Sequence, residues 1–260
     1  MAKETLKIAV FQFNLVWENA FANRSKIDEW LRVLPGDTDI VFLPEMFSTG
    51  FTMNVSAVAE KMSGATIEWM KECCAEYQVA LCGSLIICEA DQYFNRLVFA
   101  EPSGEMKYYD KRHLFTMAGE ESCFTPGERR LIVEYKGWRI CPLICYDLRF
   151  PVWARNQSEY DVLVYSANWP QSRIEVWNTL LKARAIENQS YVIGANRTGV
   201  DGNNISYSGN SQLIGPKGNI LASSVDYSES ILFADLFYKE LIGFREKFPV
   251  LNDADHFEIK

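Results

Sequence analysis

Histidine is nearly absent: of 260 residues, only His113 and His256 carry an imidazole. Two isolated histidines leave little material for a histidine-based metal centre, or for the usual base of a cysteine nucleophile. The seven cysteines are Cys73, Cys74, Cys82, Cys88, Cys123, Cys141 and Cys145. Only Cys141 and Cys145 stand at Cys-x3-Cys spacing, and no second pair accompanies them, so neither a metal nor any other cofactor is expected. The odd count reads as free, mostly buried thiols. There is no basic block and the net charge is -8, which argues against nucleic acid and against an anionic membrane surface as partners. No apolar run approaches the roughly 20 residues of a membrane span. The opening "MAKETLKIAVFQF" lacks the charged start, long apolar stretch and cleavage site of a signal peptide, so a cytoplasmic location is expected. No repeat, low-complexity tract or linker interrupts the chain, so one domain over 1–260 is expected.

What is present is a balanced soluble composition, 48% hydrophobic and 23% charged. Short apolar runs alternate with helical patterns. "LKIAVFQF", "TDIVFLPE", "QVALCGSLIIC", "NRLVFAE", "EMKYYDK", "RLIVEYKGWRICPLIC", "DVLVYSAN", "SYVIGANR" and "ESILFADL" read as strands. "NAFANRSKIDEWLRVL" places Phe21, Ile27, Trp30 and Leu34 at near-helical spacing, and "GATIEWMKECCAEY" does so with Ile67, Met70 and Cys74. Pro151 opens a short helix, and "SRIEVWNTLLKARAIENQ" predicts a helix with a capping box from Ser172 to Glu175. Many strands in one domain favour two stacked sheets with helices outside, an α/β fold of α-β-β-α layers. Composition alone does not separate this from a doubly wound single sheet. After 236, Phe237, Tyr238, Leu241, Phe244 and Phe248 lie beyond the last strand. The segment 236–260 is therefore expected to pack on a partner subunit, in a homodimer or larger homo-oligomer.

Three chemistry-bearing residues each follow a strand: Glu45 after "DIVFLP", Lys111 after "KYYD" and Cys145 after "RICPLI". An α/β scaffold gathers chemistry at one rim of its sheets in this way. Taken singly, each reads as packing or as a solvated loop residue. Together they answer one need. A thiol has an ordinary pKa of about 8.5 and requires a base or a cation beside it. With histidine so scarce, a carboxylate must move the proton, and Glu45 is the candidate.

"FLPEMFSTGF", "YDKRHLF" and "LICYDLRFPVWARN" resemble, in order, the three catalytic signatures of the nitrilase (carbon-nitrogen hydrolase) superfamily. The resemblance covers nearly the whole chain and implies a four-layer α-β-β-α sandwich. It implies Glu45 as base, Lys111 as cationic stabiliser and Cys145 as nucleophile. A second active-site glutamate is implied within "GEESCFTPG"; counting back from Gly127 favours Glu120 over Glu121. "CYDLRFP" and "SANWP" are similar to the bacterial omega-amidase branch. The implied substrates are 2-oxo-dicarboxylic acid monoamides, 2-oxoglutaramate and 2-oxosuccinamate, hydrolysed to the oxo acid and ammonia through a cysteine acyl-enzyme.

Substrate binding is expected from the Tyr146 backbone N–H toward the oxyanion, and from Arg173 toward the far carboxylate. Phe47, Phe51, Phe115 and Trp169 are expected to wall the pocket, while Arg149 is expected to brace Asp147. Three rival readings stand beside this one. The first is the same chemistry on another small amide, carbamoyl or nitrile substrate. The second is a Cys141–Cys145 redox pair, disfavoured because four strand residues span about 13 Å. The third is a silent binding module on the same scaffold.

Overall fold

The computed structural model describes residues 2–255 and 257–259, so His256 lies outside the described residues. In chain order the elements are β1 (Thr5–Gln12), α1 (Ala20–Leu31), β2 (Ile40–Phe42), α2 (Val55–Val58), α3 (Ala65–Tyr77), β3 (Ala80–Glu89), β4 (Gln92–Ala100) and β5 (Met106–Asp110). The second half runs β6 (Val133–Tyr135), β7 (Trp138–Ile144), α4 (Pro151–Ala154), β8 (Val162–Ala167), α5 (Ile174–Asn188), β9 (Tyr191–Asn196), β10 (Thr198–Val200), β11 (Ser206–Ser208), β12 (Gln212–Ile214), β13 (Ile220–Ser223), β14 (Ser230–Phe237) and α6 (Tyr238–Lys247).

Two six-stranded sheets form, in the orders β14-β1-β2-β3-β4-β5 and β13-β12-β9-β8-β7-β6. Each has a parallel centre, β1-β2-β3 in one and β7-β8-β9 in the other, with antiparallel strands outside. Period-two alternation explains the layering. Leu6, Ile8 and Val10 of β1 face the second sheet, in one core with Ile140, Val162, Val164 and Ile193. Ala9 and Phe11 face the other way, onto Ile27 and Leu31 of α1 and Ile67 and Met70 of α3. Trp177, Leu181 and Ala185 of α5 cover the outer face of the second sheet. The molecule is an α-β-β-α sandwich. Strands buried on both faces read as continuous apolar runs, which is why the central ones were legible. Among the described residues, no helix is long and apolar enough to cross a membrane.

Three local expectations are corrected. Phe21, in the first turn of α1, is 75% exposed. The buried stripe instead begins at Asn23, whose amide donates 2.8 Å bonds to the carbonyls of Val16 and Ser48. The capping box is absent: a 3-10 turn over Gln171–Arg173 precedes α5, Ser172 lies within it, and Arg173 occupies the cap without a side-chain bond. In the C-terminal segment, Leu241 is buried and Tyr238 packs edge-on to Trp138 at 5.1 Å, so these two serve this chain's own core. Phe237 and Phe248 stay exposed.

At the N-terminal end of β2, buried Asp39 pins the two sheets together. It accepts from Lys3 at 2.6 Å, from Lys136 of the β6–β7 turn at 2.5 Å, and from the Lys7 N–H at 2.8 Å. Burial would raise its carboxyl, but the bonds from Lys136, Lys3 and the Lys7 N–H outweigh burial and hold it below the ordinary value. A lowered carboxyl contributes stability that is full above about pH 4 and is lost as pH falls through the folded value. Asp39→Asn is expected to cost about 2 kcal/mol at pH 7. In denaturant titrations that difference should close below about pH 4; a gap persisting into acid would contradict the assignment.

Candidate active site

Glu45 is delivered by the end of β2. Leu43 N–H still bonds to Cys82 at 2.7 Å, Pro44 stops the ladder, and Met46 takes a left-handed φ of 44°. Ser84 of β3 fixes this turn by accepting the Met46 N–H at its hydroxyl, 2.8 Å away. Gly83 lets the turn close, since a Cβ there would sit 2.8 Å from both Leu43 and Phe47. Lys111 leaves β5 with its N–H bonded to the Asn95 carbonyl at 3.0 Å. Glu120 lies in a 3-10 turn after Gly119, whose φ is 73°. Glu45, Lys111 and Glu120 are all buried, at 0%, 1% and 0% exposure.

The Lys111 ammonium sits between the two carboxylates, 2.9 Å from Glu45 Oε1, 3.0 Å from Glu120 Oε1 and 2.8 Å from Glu120 Oε2. Burial works against its charge, but Glu120, Glu45 and Cys145 outweigh burial and push the ammonium pKa up. Burial raises the Glu120 carboxyl as well, with Lys111 pulling against it.

Hydrogen-bond capacity separates the two acids. An ionised carboxylate offers about four acceptor positions. On Glu120 these face Lys111 twice, Asn95 Nδ2 at 3.2 Å and the Phe115 N–H at 2.6 Å. On Glu45, Oε1 takes Lys111 and Asn95 Nδ2 at 2.8 Å, and Oε2 takes the Asn168 N–H at 2.9 Å. One position on Glu45 remains, on Oε2, and the Glu45 charge acts on the nearby Cys145 thiol.

Cys145 begins the turn after β7 with a φ of 42°, a left-handed conformation that aims its side chain out of the sheet. The buried Asp147 carboxylate holds this turn. It accepts from the Ile144 N–H at 3.0 Å, the Tyr109 hydroxyl at 2.8 Å and the His113 N–H at 3.1 Å, tying the nucleophile turn to the lysine strand. His113 Nδ1 lies 2.8 Å from the same carboxylate, and its ring stacks on Phe150 at 3.7 Å. Burial, then the Glu45 charge, push the thiol well above its ordinary pKa, with Lys111 opposing. The thiol therefore rests protonated.

These groups open into a cavity of about 520 Å³. Phe51, Phe115, Tyr146, Trp169 and Arg173 all line it. Two expectations fail here. Phe47 is fully buried behind the Glu45 turn, with its ring 6.1 Å from Trp69, and walls nothing. Arg149 does not brace Asp147, whose partners are those named above; it lines the cavity, stacked 5.3 Å over Trp169. Arg173 lies 5.2 Å over Phe115. Among the described residues neither guanidinium has an ion-pair or side-chain hydrogen-bond partner. Of the adjacent acids, Glu121 is exposed and Glu120 is buried against Lys111. Cys141 is wholly buried on the α5 side of the second sheet, and both it and Cys145 are free thiols. Among the described residues no group of three His, Cys, Asp or Glu side chains is placed to hold a metal ion.

Sequence reading missed Asn95 and Asn168, and gave Arg149 a bracing role in place of its position in the cavity. Asn95 had a signal: it is the polar residue inside the strand run "FNRLVF", where a buried amide needs partners. Asn168 ends the β8 run as Glu45 ends the β2 run. Nothing local distinguishes Arg149 from a surface arginine.

A carbon-nitrogen hydrolase family model matches residues 7–245. The chain is 43% identical over 254 residues to an omega-amidase, YafV, of Escherichia coli, with 98% of each chain covered. It is 32% identical over 251 residues to a 2-oxoglutaramate amidase of Bacillus subtilis, covering 95% of this chain and 96% of that one. A solved carbon-nitrogen hydrolase superfamily protein of Xanthomonas campestris, with an arsenic adduct in its active site, superimposes with a TM-score of 0.96. That structure is 38% identical and covers 99% of this chain, which covers all of it in turn. Matched over most of its length by the family model, and along nearly the whole chain by amide-hydrolysing relatives, this protein belongs to the carbon-nitrogen hydrolase family.

Proposed function

We propose that this chain is an omega-amidase, hydrolysing the terminal amide of 2-oxo-dicarboxylic acid monoamides such as 2-oxoglutaramate and 2-oxosuccinamate. The observation that carries this reading is a pair of guanidiniums, Arg149 and Arg173, without ion-pair or side-chain hydrogen-bond partners among the described residues, in the same cavity as Cys145, Glu45 and Lys111. A carboxylate at the far end of a short amide meets two charge-assisted donors there. An α-ammonium, as in glutamine, would meet two like charges. The names of the Escherichia coli and Bacillus subtilis relatives support the same choice.

In this reading Cys145 Sγ attacks the amide carbon while its proton passes to the open position on Glu45. The oxyanion is met by the Lys111 ammonium and by the Tyr146 N–H, donors of a kind typically worth about 100- to 1000-fold each. Glu45 returns the proton to the departing nitrogen, ammonia leaves, and the C–N bond has been exchanged for a thioester. Water then attacks the thioester, losing a proton to Glu45, which passes it to the sulfur as the 2-oxo acid departs. Glu120, with its acceptor positions filled by N–H donors, holds the lysine in place. Phe51, Phe115 and Trp169 wall the acyl chain.

Ammonia release should be fast from 2-oxoglutaramate and slow from glutamine, asparagine and a simple nitrile. Equal turnover of glutamine would remove the oxo-acid assignment. Arg149→Met and Arg173→Met should each raise KM for 2-oxoglutaramate about 10- to 100-fold, with a smaller effect on kcat. An unchanged KM in either variant would take that arginine out of the carboxylate site. The same reading carries a cytoplasmic location, one catalytic domain over 1–260, and assembly as a homodimer or larger. The exposed Phe237 and Phe248 offer the contact, and sedimentation of the intact chain tests it.

A further inference from the structure

We propose that Asn95 is the positioning residue of the proton relay, dictating which oxygen of Glu45 receives the thiol proton. It rests on Glu45 being the base. Asn95 is fully buried in β4, at the point where β5 delivers Lys111. Its side-chain amide spans both carboxylates, 2.8 Å to Glu45 Oε1 and 3.2 Å to Glu120 Oε1. The group has two N–H bonds, and each is committed to one acid. Its own Oδ1 has no partner among the described residues. Turning the amide over would set that oxygen against two carboxylates, so the donors alone fix its orientation.

The consequence is positional. With Lys111 and Asn95 on Oε1, that oxygen of Glu45 is saturated, and the remaining capacity lies on Oε2. A neutral donor suits this place better than a second cation. Two acids share one ammonium, and an added positive charge would draw Glu45 away from the thiol and from Lys111. The charged and titratable groups facing the Glu45 carboxyl are Lys111, Glu120 and Cys145, with Glu18, Tyr146, Arg149, Arg173, Asp201 and Tyr207 lining the cavity around them. None of these cavity-lining groups reaches Glu45 Oε1 in the hydrogen-bond network, so loss of the Asn95 donors goes uncompensated.

The test compares Asn95→Leu and Asn95→Asp with the parent enzyme. Two acid limbs are read: that of kcat/KM for 2-oxoglutaramate, and that of the rate at which iodoacetamide labels Cys145 without substrate. A donor favours the charged form of the carboxylate it serves. Asn95→Leu should therefore move both limbs up by about one pH unit. At neutral pH its kcat should fall about 10-fold with KM unchanged, as for a group that never touches substrate. Asn95→Asp, of equal size, should move both limbs further. Limbs that stay in place in a folded variant would overturn the proposal. Loss of the fold in both variants would also overturn it, assigning Asn95 to the frame alone. Labelling does not depend on the substrate. A labelling limb that shifts while 2-oxoglutaramate is not hydrolysed would therefore refute the omega-amidase reading and leave the Asn95 proposal standing.

Discussion

Glu45→Gln should retain the fold and lose turnover by about 1000-fold or more. The side chain keeps its size, and either amide orientation still accepts from the Asn168 N–H or from Lys111 and Asn95. The Lys111–Glu120 contacts at 2.8 and 3.0 Å are untouched, so the ammonium stays paired. Thermal unfolding should shift by only a few degrees, the effect of about 1 kcal/mol, for the one N–H group that faces another. Catalysis has no such reserve. The Cys145 thiol is pushed well above its ordinary value by burial and by the Glu45 charge, so it does not ionise unaided at neutral pH. Without a carboxylate on the open position, the proton has no acceptor as sulfur attacks. Residual kcat/KM within about 10-fold of the parent would show that another group is the base.

Lys111→Met should damage both stability and turnover. Removing one partner of a buried ion pair leaves uncompensated charge, typically at a cost of about 3–5 kcal/mol. Here the loss strips the ammonium from two carboxylates at once, Glu45 and Glu120, both fully buried. The pH dependence has a definite sign. Burial already raises the Glu120 carboxyl and Lys111 holds it back, so without the lysine it rises further. A carboxyl raised in the folded state contributes stability that is present at low pH and lost as pH rises through the folded value. The variant should therefore recover ground on the parent as pH is lowered from about 8 toward 5. Turnover should fall about 100-fold or more, because the oxyanion loses its cation. Lys111→Met combined with Glu120→Gln should restore part of the stability and none of the activity. Full activity in the single variant would remove Lys111 from the reaction.

The reach of sequence reading follows from which interactions are local. "TDIVFLPE" shows a buried strand stopped by a proline with an acid beyond it, and "RICPLICYD" shows a strand stopped at a thiol. Both patterns are short-range, and both signal a reactive side chain at a sheet rim. Helix α3 was legible because Ile67, Met70 and Cys74 keep its period on a single face. Phe21 misled because spacing reports a face without reporting where along the helix that face begins to be buried. Ser172 misled because a 3-10 turn satisfies the same composition as a capping box.

By itself the amino-acid order determined the layered class, the three strand ends and the shortage of histidine that sends proton transfer to a carboxylate. Tertiary structure buried Glu120 against Lys111 and left Glu121 exposed, swung Arg149 into the cavity and placed the Asn95 amide across both acids. It also left one acceptor position on Glu45. The physical reason is that hydrogen-bond capacity and burial are shared quantities. Glu45, Asn95, Lys111, Glu120 and Asn168 come from separate segments, and which lone pair stays free is known only once all the donors have arrived.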